Sequence, residues 1–240
     1  MSEFDNMPVM PPSAGAPAPA GWIPVWIKAV TQPNEQTFVD ITEHPDAQPK
    51  TAYIWMFFAG TLSAVVNGFV QAATVTRTLG EQSVFEGSTV GVVVGAVCAA
   101  PIAGALSVLF FALGVAIIQW IAKLFGGTGS YDKLVYAIAA ISMPFTLVSV
   151  VLLPLSLVPY GAVCTGLLGA GLGFYALFLQ ITAVKAVNRF GWGPAAGSVL
   201  LPGFLVLLIC ACVVILSLTL LGPVIGDVFN DINQGLQFSP

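Results

Sequence analysis

The sequence predicts an all-α polytopic membrane protein, a five-helix transmembrane bundle preceded by short amphipathic helices that lie at the membrane interface. Composition indicates the membrane class, because 57% of the 240 residues are hydrophobic and only 8% are charged, whereas soluble domains carry about 25% charged residues. Hydropathy indicates the helices, since five separate apolar blocks each reach the roughly 20 residues that cross a hydrocarbon core. Two short amphipathic stretches precede the first block.

Each of the five apolar blocks is long enough to span a bilayer as a helix. The blocks lie at approximately 52–75, 90–121, 134–153, 162–184 and 197–221. The second block is longer than a bilayer requires and contains Pro101, which predicts a tilt or a kink. Only the uncharged stretch PLSLVPYG separates the third block from the fourth, and it leaves two alternatives open, a simple turn or a re-entrant segment.

Two short segments before the first block have the pattern of helices that lie in the interface plane. WIPVWIKAVTQ places Trp22 and Trp26 at helical spacing with Lys28 on the other side, and it is too short to span. NEQTFVDITEH places Phe38 and Ile41 on one face and acidic residues on the other. The predicted regions are a disordered Pro/Ala-rich tail at 1–20, a cytoplasmic interfacial segment at 21–50, a five-span domain at 51–226 and a short carboxy-terminal tail at 227–240.

Basic residues predict the orientation, because Lys and Arg near the ends of spans are retained in the cytoplasm. With five spans, one side of the membrane carries most of the basic residues and the other carries only Arg77. The basic residues of the first side are Lys28, Lys50, Lys123, Lys133, Lys185 and Arg189. We therefore expect a cytoplasmic amino terminus and an external carboxyl terminus.

A glycine-rich stretch, FGGTGSYDK, joins the second block to the third. It has neither the G-x-x-x-x-G-K-[ST] nor the G-x-G-x-x-G spacing of phosphate-binding loops, and its flanks are membrane helices rather than a strand and a helix. The stretch instead predicts a tight turn, in which Gly126 and Gly127 end one helix and Ser130 or Asp132 caps the next.

The same stretch carries a family resemblance. The motif turn of Gly126, Gly127, Gly129, Ser130 and Tyr131, followed by a helix with small residues and a proline, is similar to the Yip1 domain family of multi-span membrane proteins. The helix residues that carry the resemblance are Tyr136, Ala139, Ala140, Ser142 and Pro144. The resemblance covers roughly residues 20–225, including the stretch from Pro33 to Phe38, and it implies five spans with a cytoplasmic amino terminus.

The resemblance implies two functional contexts. Eukaryotic relatives are linked to vesicle traffic and to prenylated small GTPases, whereas bacterial relatives mostly lack an assigned activity. The Trp-rich interfacial segment resembles the bacterial form, and no segment matches a GTPase-binding region. We therefore expect an integral protein of a bacterial cytoplasmic membrane.

The sequence contains no set of residues that predicts a catalytic or metal-binding site. No cofactor and no nucleic-acid partner are expected. His44 is the sole histidine and lies in a polar loop, whereas a zinc site needs three or four ligands. The cysteines lie in apolar blocks, where cysteine behaves as a small hydrophobic residue: Cys98, Cys164, Cys210 and Cys212. No ionisable residue lies near the centre of a block, although such residues mark ion and proton paths.

Small and amide side chains predict how the helices pack. Asn67 and Gln71 are one turn apart on the first span and share a face, which favours hydrogen bonds to a neighbouring helix over a substrate-binding pair. Stripes of small residues allow close backbone approach, either within the bundle or with another chain. The glycines of these stripes are Gly60, Gly68, Gly91, Gly95, Gly169 and Gly173.

These features favour a non-enzymatic scaffold or accessory subunit. Its expected partners are membrane lipid and either other integral membrane proteins or a second copy of the chain. The alternative is a small transporter or channel subunit, because Pro101, Pro144 and Pro202 interrupt apolar blocks and broken helices often line binding sites.

Overall fold

The computed structural model describes residues 21–79 and 86–237. The predicted amino-terminal tail at 1–20 lies outside the described residues, as do residues 80–85 and 238–240. The described residues form seven α-helices, one 3-10 helix and no strand. The helices are α1 (Trp22–Thr31), α2 (Glu35–Glu43), α3 (Pro49–Leu79), α4 (Glu86–Leu124), α5 (Tyr131–Leu152), α6 (Gly161–Asn188) and α7 (Trp192–Gln237).

Five of these helices are long and apolar enough to cross a membrane, which confirms the predicted five-span, all-α architecture. The candidate spans are Pro49–Thr74, Val90–Leu124, Tyr131–Leu157, Gly161–Asn188 and Trp192–Thr219. The protein is therefore an integral, multi-pass membrane protein.

The two short helices α1 and α2 precede the first span, as the amphipathic pattern predicted. Asn34 is the N-cap of α2, and its side-chain oxygen accepts a hydrogen bond from the Thr37 amide at 2.7 Å. Phe38 and Ile41 are buried, with 0% and 3% of their surfaces exposed. The apolar face of α2 therefore packs against the spans, where it contacts α5 and α6, and α1 also contacts α5.

Helix α5 lies at the centre of the bundle. All of residues 134–141 are buried, so this segment of the helix is covered on every side. A helix that is apolar all round is expected in such an interior position. Helices α1, α2, α3, α4 and α6 all contact α5.

Most of the buried core lies at the end of the bundle where α1 and α2 pack, which we call the capped end. Trp55 of α3, Leu134 of α5 and Val184 of α6 are each at most 1% exposed there. The opposite halves of the helices are far less covered. On α7, for example, every residue from 200 to 219 is exposed except Pro202, which is half-buried.

The structure answers three questions that the sequence left open or predicted differently. The stretch between α5 and α6 contains a 3-10 helix, Leu153–Leu157, and then Tyr160 at φ 63°, so the chain makes a short turn between two contacting spans. Helix α4 continues through Pro101. Helix α7 continues past the predicted end of its span to Gln237, so the part of the predicted tail that is described is helical.

Candidate functional site

The glycine turn, residues 125–130, joins α4 to α5 at the capped end. Gly126 has φ 87°, a left-handed conformation that favours glycine and that often ends a helix. The Gly127 amide donates to the Ala122 carbonyl at 2.9 Å, which satisfies one of the last carbonyls of α4. Ser130 is the N-cap of α5, and its hydroxyl accepts from the Lys133 amide at 3.4 Å.

A buried pair of amide side chains supports this turn from below. Gln119 of α4 donates from Nε2 to the Gly129 carbonyl at 2.7 Å and to Asn188 Oδ1 at 3.1 Å. Asn188 of α6 donates from Nδ2 to Gln119 Oε1 at 3.3 Å and to the Val184 carbonyl at 3.1 Å. Because both side chains are buried, their mutual hydrogen bonds join α4, α6 and the turn into one network.

Close packing against Asn188 explains why two positions of the turn are glycine. A Cβ atom at Gly127 would lie 2.7 Å from Asn188 Oδ1 and 2.9 Å from the Ala122 carbonyl oxygen. At Gly129 it would lie 2.6 Å from the Val187 carbonyl oxygen. These separations are shorter than van der Waals contact, so any side chain at either position forces the turn away from α6.

The aromatic residue of the motif turn, Tyr131, connects α5 to two other spans. Its hydroxyl donates to the Ala112 carbonyl of α4 at 3.0 Å and lies 3.2 Å from the Tyr53 hydroxyl of α3. Since the Tyr131 proton is used by the carbonyl, Tyr53 is the donor of the second bond. Pro144, the last residue of the motif, lies half-buried within continuous α5.

Ion pairs hold α2 to the spans around the turn. Glu43 lies 3.6 Å from both Lys133 of α5 and Arg189, which follows α6. Glu35 pairs with Lys185 of α6. Arg189 has φ 55°, which is uncommon for a residue with a side chain. The three acidic and basic contacts fix α2 across the ends of α5 and α6.

Lys28 of α1 pairs with Asp40 of α2 at 3.1 Å. Burial alone would raise the pKa of Asp40, but hydrogen bonds from Gln36 and Lys28 and the Lys28 charge outweigh it and lower the pKa. The carboxylate form is thus favoured by folding. This pair connects the two short helices to each other.

Two polar cavities open at the capped end. A cavity of about 230 Å³ lies between α2 and the glycine turn, and its charged lining residues are Glu43, Lys133 and Arg189. A second cavity of about 280 Å³ is lined by residues of α1, α3 and α5 together with His44 and Asp46. Within the described residues, no group of three or more His, Cys, Asp or Glu side chains could hold a metal ion.

The predicted packing glycines fall into two groups. A Cβ atom at Gly60 would overlap the side chain of Ser107, and one at Gly68 would overlap Ala96, so both glycines lie in the contact between α3 and α4. The other four have no atom within 4 Å of the Cβ position: Gly91, Gly95, Gly169 and Gly173. These four therefore face away from the described parts of the chain.

The predicted amide pair on α3 does not join two helices in the described structure. Asn67 donates to the Ser63 carbonyl of its own helix at 2.8 Å, and Gln71 is exposed. Backbone carbonyls one turn earlier are always within reach of a side chain in a helix, so an amide can be satisfied locally.

The Gln119–Asn188 pair was not predicted from the sequence. Its only signals were an isolated Gln inside the apolar run AIIQWIAKL and an Asn directly before Arg189. These residues are 69 positions apart. Neither local spacing nor helical periodicity brings them together, so the tertiary fold was needed to find the pair.

The seven helices, the five spans and the interlocked glycine turn define a polytopic helical membrane protein with a structured cap at one end. The sequence profile of the Yip1 domain family matches residues 27–215. The chain belongs to the Yip1 domain family, as the glycine turn had suggested. No curated protein and no solved structure matches the chain significantly.

Proposed function

We propose that this Yip1 domain protein is a non-enzymatic scaffold or accessory component that associates with the helices of other membrane proteins or with a second copy. The proposal rests on the open space beside Gly169 and Gly173. These glycines lie one turn apart on α6, and a Cβ atom at either position would have no neighbouring atom within 4 Å. A glycine on a lipid-exposed surface adds no side-chain contact. Its benefit is the close approach of another helix backbone.

The surroundings of these glycines support the same proposal. On α6, the residues from 162 to 173 are exposed apart from Thr165 and Leu172, and on α7 the outer half is exposed as well. We call this surface, residues 162–173 and 200–219, the open surface. It is apolar, so lipid solvates it readily, and a helix that docks there gains contacts through packing rather than through the hydrophobic effect.

The test is a comparison of three glycine-to-leucine substitutions in native membranes. Gly169→Leu places a bulky side chain on the open surface, and we expect association to weaken by about 5- to 30-fold, the equivalent of 1 to 2 kcal/mol for a helix contact. Gly68→Leu instead clashes with Ala96 inside the chain and should lower the stability of the fold. Gly114→Leu adds the same volume at another position with open space and is the matched control.

Association is measured by chemical cross-linking and by co-purification after gentle extraction. A lone monomer whose behaviour is the same for wild type and Gly169→Leu would contradict the proposal and would favour the transporter alternative. Flux assays in reconstituted vesicles test that alternative directly. Its sequence argument is weakened because Pro101, Pro144 and Pro202 each lie within a continuous helix.

We also propose that the capped end faces the cytoplasm of a bacterial cell. The ion pairs of α1 and α2 involve Lys28, Lys133, Lys185 and Arg189, which gather basic residues at this end. Basic residues next to spans are retained on the cytoplasmic side. With five spans the carboxyl terminus then lies outside.

A further inference from the structure

A groove between α3 and α4 lies apart from the open surface that the proposed association uses. Its volume is about 490 Å³, and we call it the α3–α4 groove. Its lining residues are Lys50, Tyr53, Ile54, Phe57, Phe58 and Val108. All of them belong to two candidate spans, Pro49–Thr74 and Val90–Leu124, so the groove faces the membrane.

Lys50 is the charged residue of this lining, and it lacks a partner within the chain. Four other basic side chains pair with carboxylates: Lys28, Lys133, Lys185 and Arg189. No ion pair between described residues includes Lys50, and the first turn of α3 contains no acidic residue. Asp46, the nearest acidic residue along the chain, lies beside His44 and lines a separate cavity. A cation next to an apolar membrane surface is costly without a partner, so Lys50 is expected to attract an anion from outside the chain.

The rest of the lining favours a flexible chain over another helix. Phe57 and the exposed Phe58 present two large rings, whose centroids lie 6.1 Å apart. Close packing of helices in membranes depends on small residues. The small residues nearby, Gly60 and Gly104, are already in contact across α3 and α4. An acyl chain can follow an irregular surface of large side chains, whereas a helix backbone cannot approach it closely.

We propose that the α3–α4 groove binds an anionic phospholipid, with the headgroup at Lys50 and one acyl chain along Ile54, Phe58 and Val108. The headgroup supplies the negative charge that Lys50 lacks in the chain, and the positive end of the α3 dipole favours the same charge. Basic pockets between spans bind anionic headgroups in this way. A zwitterionic headgroup also carries a phosphate, but its amine is repelled by Lys50. The groove therefore selects anionic over zwitterionic phospholipids.

The experiment uses the full chain in nanodiscs that contain equal amounts of phosphatidylglycerol and phosphatidylcholine with the same acyl chains. Lipid that stays bound after gentle extraction is quantified by mass spectrometry, and the measured quantity is the ratio of the two retained lipids. Wild type should retain phosphatidylglycerol in about fivefold excess, the effect of one lysine near a membrane surface. Lys50→Gln should return the ratio to the membrane proportion. Lys123→Gln removes the same charge from another exposed lysine, outside the groove, and should leave the excess unchanged.

A second pair of variants tests the apolar part of the groove. Val108 is half-buried in the lining, so Val108→Trp fills space that the acyl chain needs and should abolish the excess although Lys50 is intact. Leu109→Trp places the same side chain at the next position, which is exposed and does not line the groove, and should retain the excess. Lys50→Gln changes only an exposed residue at the start of α3, so it tests the proposal even if Val108→Trp fails to fold.

Three results would overturn the proposal. The first is retention of both lipids by wild type in membrane proportion. The second is an equal loss of the excess in Lys50→Gln and Lys123→Gln, because the cause would then be the total charge rather than the groove. The third is an unchanged excess in folded Val108→Trp, because the acyl chain would then lie elsewhere.

Discussion

Gly129→Ala gives the sharpest test of how the glycine turn is built. The added methyl group would lie 2.6 Å from the Val187 carbonyl oxygen, 2.8 Å from Val187 Cγ1 and 2.9 Å from Asn188 Oδ1. All three atoms belong to buried parts of α6, so the turn must move instead. Movement of Gly129 also lengthens the 2.7 Å hydrogen bond that Gln119 donates to the Gly129 carbonyl.

The expected cost follows from these two effects. Overpacking of a tight contact costs about 1–3 kcal/mol, and the loss of one buried hydrogen bond adds about 1 kcal/mol. We therefore expect Gly129→Ala to lower the free energy of unfolding by about 3 kcal/mol. The measurement is reversible unfolding in mixed detergent micelles with increasing dodecyl sulfate, followed by tryptophan fluorescence.

Gly166→Ala is the matched control, because it introduces the same methyl group within α6 where no atom lies within 4 Å. Replacement of glycine by alanine in a helix interior stabilises by up to about 1 kcal/mol. If Gly129→Ala unfolds at the same denaturant fraction as Gly166→Ala, the close packing of the turn against α6 cannot be what requires glycine there.

Three further predictions concern the amide pair, the short helices and the orientation. Gln119→Leu should lower the free energy of unfolding by about 1–3 kcal/mol because the Asn188 amide stays buried with fewer partners. In a double-mutant cycle, Gln119→Leu combined with Asn188→Leu should cost less than the sum of the two single substitutions. Folding lowers the pKa of Asp40, so the contact of α1 with α2 should be stable at neutral pH and should weaken as the pH falls below 3.8. Limited proteolysis with an acid-active protease should show a larger effect of pH in wild type than in Asp40→Asn. In a chain without native cysteines, Gly235→Cys should react with an impermeant maleimide on intact cells and Thr128→Cys should not. The reverse result would show that the orientation is opposite to the predicted one.

The sequence predicted the elements whose signals are local. Hydropathy located the five spans, and amphipathic spacing located α1 and α2 and put Phe38 and Ile41 on one face of α2, which the structure shows to be buried. Helix capping preferences placed Gly126 and Ser130 at the two sides of the turn. Each of these signals depends on neighbours within a few residues, and lipid imposes the helical conformation on any long apolar segment.

Features that depend on which helices meet could not be predicted in the same way. Small-residue stripes look alike in the sequence, yet Gly60 packs against α4 whereas Gly169 faces open space. Sequence spacing gives the face of a helix but not its neighbour. The Glu43 contacts to Lys133 and Arg189 could not be predicted for the same reason, because they require α2 to cross the ends of two spans.

Helix α7 is long, and its contacts with the rest of the protein are concentrated near its start. It is held near its start, where Ala195, Ser198 and Val199 are buried, and its 46 residues extend about 69 Å at 1.5 Å per residue. A change of about 10° in its direction moves the far end by roughly 12 Å on that length. Bilayer thickness acts on the uncovered part of the helix and changes its tilt. Because its buried residues follow Asn188 closely in the chain, a change in the tilt of α7 would act first on the end of the helix beside the cap.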